Sequence, residues 1–303
     1  MSKEIILQVS GLSKAIKGIP ILSDFGIEVF RGDICGIVGP NGSGKTMLLR
    51  MITTLVNPDK GEIRIFGKKL AVARKKILEQ IGLMVGEPVF YDHLNAFDNI
   101  SIFSKYAGVE KDNDEIDRIL KLTGLLSLAD TKVKYFASGD RKKLAIAMAL
   151  YNNPTLVILD EPFRSLDVKS LIEIKKVIKT INQERGTTFL IATKRLGELE
   201  GFITRIALID GGRLIAEGDV DELVGRAKTG LLIETDDNER AYKLLRESNL
   251  SIDNIIVEGS KLRVSCQKET VPFINKYLIE SNVQVFVLQS DDAISSYYLT
   301  FTE

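Results

Sequence analysis

The residues with the clearest chemistry run together as Gly39-Pro40-Asn41-Gly42-Ser43-Gly44-Lys45-Thr46-Met47. Positions 39 to 46 fit the pattern G-x-x-x-x-G-K-[ST]. Glycines at this spacing let the backbone turn tightly enough for successive N–H groups to converge on phosphate oxygens. A helix opening at Lys45-Thr46 would add the positive end of its dipole. Lys45 would then neutralise β and γ phosphates, and the Thr46 hydroxyl would ligand Mg2+. A second group of reactive residues is Asp160-Glu161, two adjacent carboxylates at the end of Thr155-Leu156-Val157-Ile158-Leu159. A strand beside a phosphate loop delivers such an aspartate to the metal, which is the role read for Asp160. Glu161, one residue on, is placed to orient or polarise an attacking water.

These groups need elements to hold them. Ile34-Cys35-Gly36-Ile37-Val38 is an apolar run before the loop, and Leu48, Met51, Ile52 and Leu55 recur after it at helical spacing. Strand, glycine loop, helix is the context the motif requires. Upstream, Ile5-Ile6-Leu7, Ile21-Leu22 and Ile27-Glu28-Val29 read as short strands. Glu62 to Ile65 reads as another. Residues 87 to 150 lose that pattern and read as mostly helical. Buried strands are predicted again at Leu156 to Leu159 and Phe189 to Ala192. A hairpin is predicted over Ile206 to Leu214, turning at Asp210-Gly211-Gly212. A composition shift near Gly225 to Gly230 predicts a boundary, with domains over 1–225 and 226–303. The second domain reads strand, helix, strand, strand, helix, strand, an order that fits a small split βαβ. It carries no motif for chemistry.

Bulk composition narrows the function classes. Forty-one basic and forty-one acidic residues cancel, so neither a nucleic-acid coat nor a polybasic membrane anchor is indicated. Cys35 and Cys266 lie far apart and read as buried free thiols of a reducing compartment. The first residues show no signal-peptide pattern, and no stretch approaches the roughly 18 apolar residues of a membrane helix. A protein of this kind acting at a membrane needs another chain to span it.

The chain resembles the ATP-binding subunits of ATP-binding cassette (ABC) transporters over residues 4 to about 225. The carriers are the phosphate loop, Ile158-Leu159-Asp160-Glu161-Pro162, Ser165-Leu166-Asp167 at the family's D-loop, and Arg213-Leu214-Ile215-Ala216-Glu217-Gly218. The segments Glu87-Pro88-Val89-Phe90-Tyr91 and Asn99-Ile100, with the C-terminal appendage, resemble bacterial exporters of peptides and antimicrobials. The resemblance implies an α/β fold with a mixed β core, a helical subdomain over about 87–150 and a small α+β domain. It implies ATP and Mg2+ as ligands, a separate transmembrane permease, and a second ATPase chain as partner. It also implies a cytoplasmic location on the inner face of the membrane, with no nucleic-acid partner.

Four positions depart from the family pattern. Ile16 stands where an aromatic ring usually stacks on adenine, an interaction worth ~1–3 kcal/mol. Gly86 replaces a Gln that ligands Mg2+ and senses the membrane partner, and Glu87 beside it reads equally as a substitute oxygen donor or as a surface acid. The signature Leu-Ser-Gly-Gly-Gln is Phe136-Ala137-Ser138-Gly139-Asp140, which displaces the phosphate-binding hydroxyl to Ser138 and adds a negative charge. Lys194 stands at the switch histidine; it can donate to a γ phosphate but cannot relay a proton as imidazole does. The lone histidine, His93, lies elsewhere and is given no role. Groups that grip phosphate and metal are intact, and groups that tune base, trans contact and switching are altered. Three functions compete, in this order: a transport ATPase with reduced or partner-dependent hydrolysis, a non-hydrolysing nucleotide sensor paired with an active cassette, and a soluble machine acting on DNA or ribosomes.

Overall fold

The computed structural model describes residues 3–106, 108, 112–220, 222–223 and 229–290. The chain divides into two compact units, Met1–Gly218 and Asp219–Glu303. The division falls seven residues before the composition shift at Gly225, because the strand over Arg213–Asp219 closes the first unit.

The first unit is built on a six-stranded sheet of β3 (Ile34–Val38), β6 (Ile81–Met84), β7 (Leu156–Asp160), β8 (Thr188–Thr193), β9 (Arg205–Asp210) and β10 (Arg213–Asp219), in the order β10-β9-β3-β8-β7-β6. Strands β9, β3, β8, β7 and β6 pair in parallel. Residues of β3, β7 and β8 are buried throughout, which is why these strands read as continuous apolar runs. A second sheet holds β1 (Ile5–Ile16), β2 (Ile19–Phe30), β4 (Lys60–Ile65) and β5 (Lys68–Lys69), in the order β2-β1-β4-β5. The short apolar runs upstream of the loop are therefore parts of two twelve-residue strands. Several bulges interrupt their pairing and with it the alternation that marks a long strand.

Helix α1 (Lys45–Ile52) packs Leu48, Leu49 and Ile52 into one cluster with Leu7 and Phe25 of the second sheet and Ile37 and Ile158 of the first. It ends before Leu55, which is 67% exposed. Helix α2 (Leu70–Leu78) and strand β6 were not legible as elements. β6 pairs in parallel with β7, and Gly82 lets it lie close against the next layer: a Cβ there would stand 1.9 Å from the Ala149 carbonyl oxygen. That carbonyl belongs to α5 (Ser138–Leu150), which with α3 (Ala96–Tyr106) and α4 (Asn113–Leu122) makes up the helical segment. Asp112 caps α4 by accepting from the N–H groups of Asp114 and Glu115. α6 (Val168–Arg185) is capped by Asp167 and ends on Gly186, which has a left-handed φ of 66°.

The second unit runs β11 (Thr229–Thr235), α7 (Asn238–Glu247), β12 (Ile252–Glu258), β13 (Lys261–Cys266), α8 (Val271–Glu280), β14 (Val285–Ser290). Its sheet order is β12-β13-β11-β14, all antiparallel, which is the split βαβ arrangement. Alternate residues Leu231 and Ile233 meet Val264 and Leu262 across the pair, and with Ala241, Leu245, Ile274 and Leu278 they form a separate core. Both cysteines are free and buried. Among the described residues no helix is long and apolar enough to cross a membrane.

Candidate active site

Parallel strands bring their carboxyl ends to one edge, and the reactive residues collect there. Ile37 pairs with Ala192, and Ala192 pairs with Asp160, so β3, β8 and β7 end level with one another. The phosphate loop leaves β3 at Val38. Gly44, at φ 101° and ψ −2°, is the left-handed residue from which α1 starts, a conformation with little cost only for glycine. Gly39 is constrained by proximity instead. A Cβ there would lie 2.0 Å from the Ile209 carbonyl oxygen and 2.8 Å from Ser43 Oγ.

Lys45 is 6% exposed, and its ammonium lies inside the loop. Nζ donates to the carbonyls of Gly39 (2.7 Å) and Pro40 (2.8 Å) and to Ser43 Oγ (3.3 Å). Burial pulls the Lys45 pKa below the ordinary lysine range, while the nearby charges of Glu161 and Asp160 oppose that shift. Thr46 Oγ1 donates to Asp160 Oδ2 at 3.0 Å, joining residues 114 positions apart. Asp160 is 6% exposed, and its other oxygen, Oδ1, is buried with no hydrogen-bond partner. A buried carboxylate oxygen left bare is costly, and a cation is the partner that would satisfy it. Two hard oxygens, one of them orphaned, fit a small divalent cation such as Mg2+.

Glu161 has φ 47°, left-handed and strained for a residue with a side chain. Its N–H donates to the Ala192 carbonyl at 2.8 Å, which holds that conformation against β8. Its carboxylate accepts the backbone N–H of Lys194 at 3.2 Å on Oε1, and lies 3.4 Å from Thr193 Oγ1 on Oε2. The Lys194 side chain is exposed, and its charge depresses the Lys45 pKa further. Position 194 thus meets Glu161 through its backbone.

The remaining sequence candidates lie apart from this cluster. Ile16 pairs with Ile19 at the tip of the β1–β2 hairpin, 44% and 65% exposed. The same hairpin strand reaches the loop at Ile21 and Leu22, whose atoms would meet a Cβ on Gly44 at 2.9 and 2.8 Å. Gly86 has φ 79° and open space around it. Glu87 is exposed and lies 3.9 Å from Arg164. The segment expected as a signature loop is the first turn of α5, because the Arg141 N–H already donates to the Ala137 carbonyl four residues back. Ala137 occupies the cap position and offers no side-chain hydrogen bond. Ser138 is exposed. Gly139 backs onto α6, where a Cβ would stand 2.8 Å from Ser170 Oγ, and both line a different cavity, shared with Asp167 and Glu173. His93 is exposed beside Tyr91.

Two features had no usable sequence signal. One is the pair Thr193 and Glu198 behind Glu161, whose side chains meet only through the turn after β8. The other is a groove of about 940 Å³ that runs from Gly86-Glu87 past Phe90, Phe103 and Met148. Its lining comes from α2, β6, α3 and α5 and the segments between them, scattered from Arg74 to Pro154.

Residues 22–164 match the family model described as ABC transporter. The chain is 32% identical to the uncharacterised ABC transporter ATP-binding protein YcbN of Bacillus subtilis, over 92% of this chain and 91% of that protein. It is 32% identical to the bacitracin transport ATP-binding protein BcrA of Bacillus licheniformis, over 97% and 96%. Importers match too, among them the methionine import ATP-binding protein MetN of Coxiella burnetii, at 28% over 90% and 81%. Among solved structures, the ATP-binding cassette MJ0796, a dimer bound to ADP and phosphate in a post-hydrolysis state, superposes with a TM-score of 0.64. It is 26% identical and covers 71% of this chain and 99% of that one. The fold, the phosphate loop joined to Asp160 and this full-length similarity agree: the chain belongs to the ATP-binding proteins of ABC transporters.

Proposed function

We propose that this chain binds MgATP and hydrolyses it, slowly or under the control of a partner, to drive a separate membrane permease. The observation that carries the reading is the meeting of Thr46 and Asp160 at 3.0 Å, beside a buried lysine whose hydrogen bonds go to the loop's own oxygens. Lys45 would exchange those carbonyls for phosphate oxygens. The amides of the loop and the first turn of α1 would surround the same oxygens. Thr46 and Asp160 would hold the metal, which when bound neutralises charge on the phosphates. Glu161, fixed on one oxygen by the Lys194 N–H, has its other oxygen available to orient water and accept its proton. Ile16 would cover one face of the base without stacking on it.

A second cassette chain would complete each site by offering the first turn of its α5. In this chain that turn has no hydroxyl at the cap and carries Asp140, so as a clamp in trans it is weak. This favours slow turnover or pairing with a different cassette. The permease would seat in the groove that opens at Gly86-Glu87, where the family resemblance puts the element that senses it. The location that follows is the inner face of the cell membrane. The cargo we propose is a peptide or antimicrobial, moved outward; the similarity to the bacitracin transport protein BcrA, which runs through both units, supports the cargo class.

Calorimetry with MgATP tests the core of this reading. The parent should bind, and Lys45→Ala should bind at least about tenfold more weakly, since a charge-assisted hydrogen bond is worth roughly 1.5–3 kcal/mol. A Lys45→Ala variant with parental affinity would contradict the site. Single-turnover hydrolysis, with and without the permease, separates the ATPase from the non-hydrolysing sensor, and Glu161→Gln should abolish product.

A further inference from the structure

The Thr193 hydroxyl stands between two carboxylates. Its oxygen lies 2.7 Å from Glu198 Oε2 and 3.4 Å from Glu161 Oε2, and it accepts the Arg195 N–H at 3.1 Å. A hydroxyl has one proton to give. Bonds from a hydroxyl to a carboxylate are short, about 2.5–2.7 Å, so the contact to Glu198 takes the proton and the contact to Glu161 does not. Thr193 is fully buried, and the Glu198 side chain is only 11% exposed, so this bond is shielded from water. The Arg195 guanidinium, 3.7 Å from Glu198 Oε1, is mostly exposed and adds little. Between them, Thr193 and Glu198 tie both ends of the turn that contains Lys194. The Lys194 N–H is the donor that reaches Glu161 Oε1.

We propose that Thr193 and Glu198 are positioning residues for Glu161. Glu198 captures the Thr193 proton, that bond pins the turn after β8, and the pinned turn presents the Lys194 backbone N–H to the Glu161 carboxylate. Glu161 Oε2 is left without a full hydrogen bond and is open to water. The inference rests on the reading of Glu161 as the group that orients water. It also accounts for a lysine at a position where the family resemblance expects imidazole, because every residue but proline offers the same N–H.

The test uses the full chain and four variants: Thr193→Val, Thr193→Ser, Glu198→Ala and Glu198→Gln. Amide hydrogen exchange at Lys194, read by NMR without nucleotide, should accelerate at least fivefold in Thr193→Val and Glu198→Ala. Single-turnover hydrolysis should fall about tenfold in the same two, with the Kd for MgATP within twofold of the parent. Thr193→Ser and Glu198→Gln each keep a hydroxyl donor or an oxygen acceptor and should restore both readouts. Unchanged exchange at Lys194 in Glu198→Ala overturns the proposal. So does loss of MgATP affinity and melting temperature in step with rate, which marks a merely structural role. Should the parent give no heat with MgATP while exchange responds as expected, the nucleotide reading falls and the relay from Glu198 to Lys194 stands.

Discussion

Thr46→Val removes one hydroxyl from this site and keeps its shape. In the protein, Thr46 Oγ1 is the partner the structure gives to Asp160 Oδ2, and Oδ1 already has none. The substitution therefore leaves a carboxylate that is 6% exposed with both oxygens bare. A hydrogen bond to a charged group contributes roughly 1.5–3 kcal/mol net. For a unit of this size each kcal/mol moves the melting temperature by about 2–4 °C, so the nucleotide-free variant should melt about 3–12 °C lower. The same hydroxyl is one of the two oxygens assigned to the metal. Loss of a group supporting a metal typically weakens it about 10–100-fold, so MgATP affinity should drop at least about tenfold. Scanning calorimetry without nucleotide gives the first number. Titration with MgATP, and with ATP in excess EDTA, gives the second and isolates the metal-dependent part. Thr46→Ser should resemble the parent in both. A Thr46→Val protein that melts with the parent, or that loses affinity equally with and without metal, would refute the argument.

Gly39→Ala places a Cβ 2.0 Å from a backbone oxygen on β9, where nothing can yield without moving a strand. Overpacking of this kind costs about 1–3 kcal/mol or more, so melting temperature and MgATP affinity should both fall. Equal values for variant and parent would show that the loop is looser than described. Ile16→Tyr adds a ring at an exposed hairpin tip and should tighten ATP binding by about 5–150-fold, the equivalent of ~1–3 kcal/mol of stacking. No gain would move the base elsewhere. Burial raises the pKa of both thiols, to about 11 for Cys266. At pH 8 only about one Cys266 in a thousand is then thiolate, so a disulfide reagent should label neither cysteine in the native chain and both after denaturation. Rapid native labelling would contradict their burial.

Much of the site was legible because its residues are neighbours in the chain or lie on strands with continuous apolar runs. The phosphate loop needs only local geometry: Gly44 must be left-handed for α1 to start, and that demand is visible as a glycine. Asp160 and Glu161 were readable because a buried parallel strand ends on them. The split βαβ unit was readable from the order of its elements, helped by the clean alternation along β13. Less was readable where contacts are long-range. Strand β6 depends on pairing with β7, some seventy residues on, and on the close approach of Gly82 to Ala149, and none of these residues signals the others. The last three residues of the signature segment, Ser138 to Asp140, belong to the first turn of α5, which starts three residues before the Arg141 at which the sequence places the helix.

The amino-acid order by itself picked out the groups proposed to grip phosphate and metal, because each proposed role there requires one residue type at one spacing. Only the tertiary structure decided how those groups are aimed. The level ends of β3, β7 and β8 set Thr46 against Asp160, and the turn after β8 turns position 194 into a backbone donor. The physical reason is that a hydrogen bond lasting over about 3 Å depends on the register of strands far apart in sequence, and register is settled by the packing of the whole sheet.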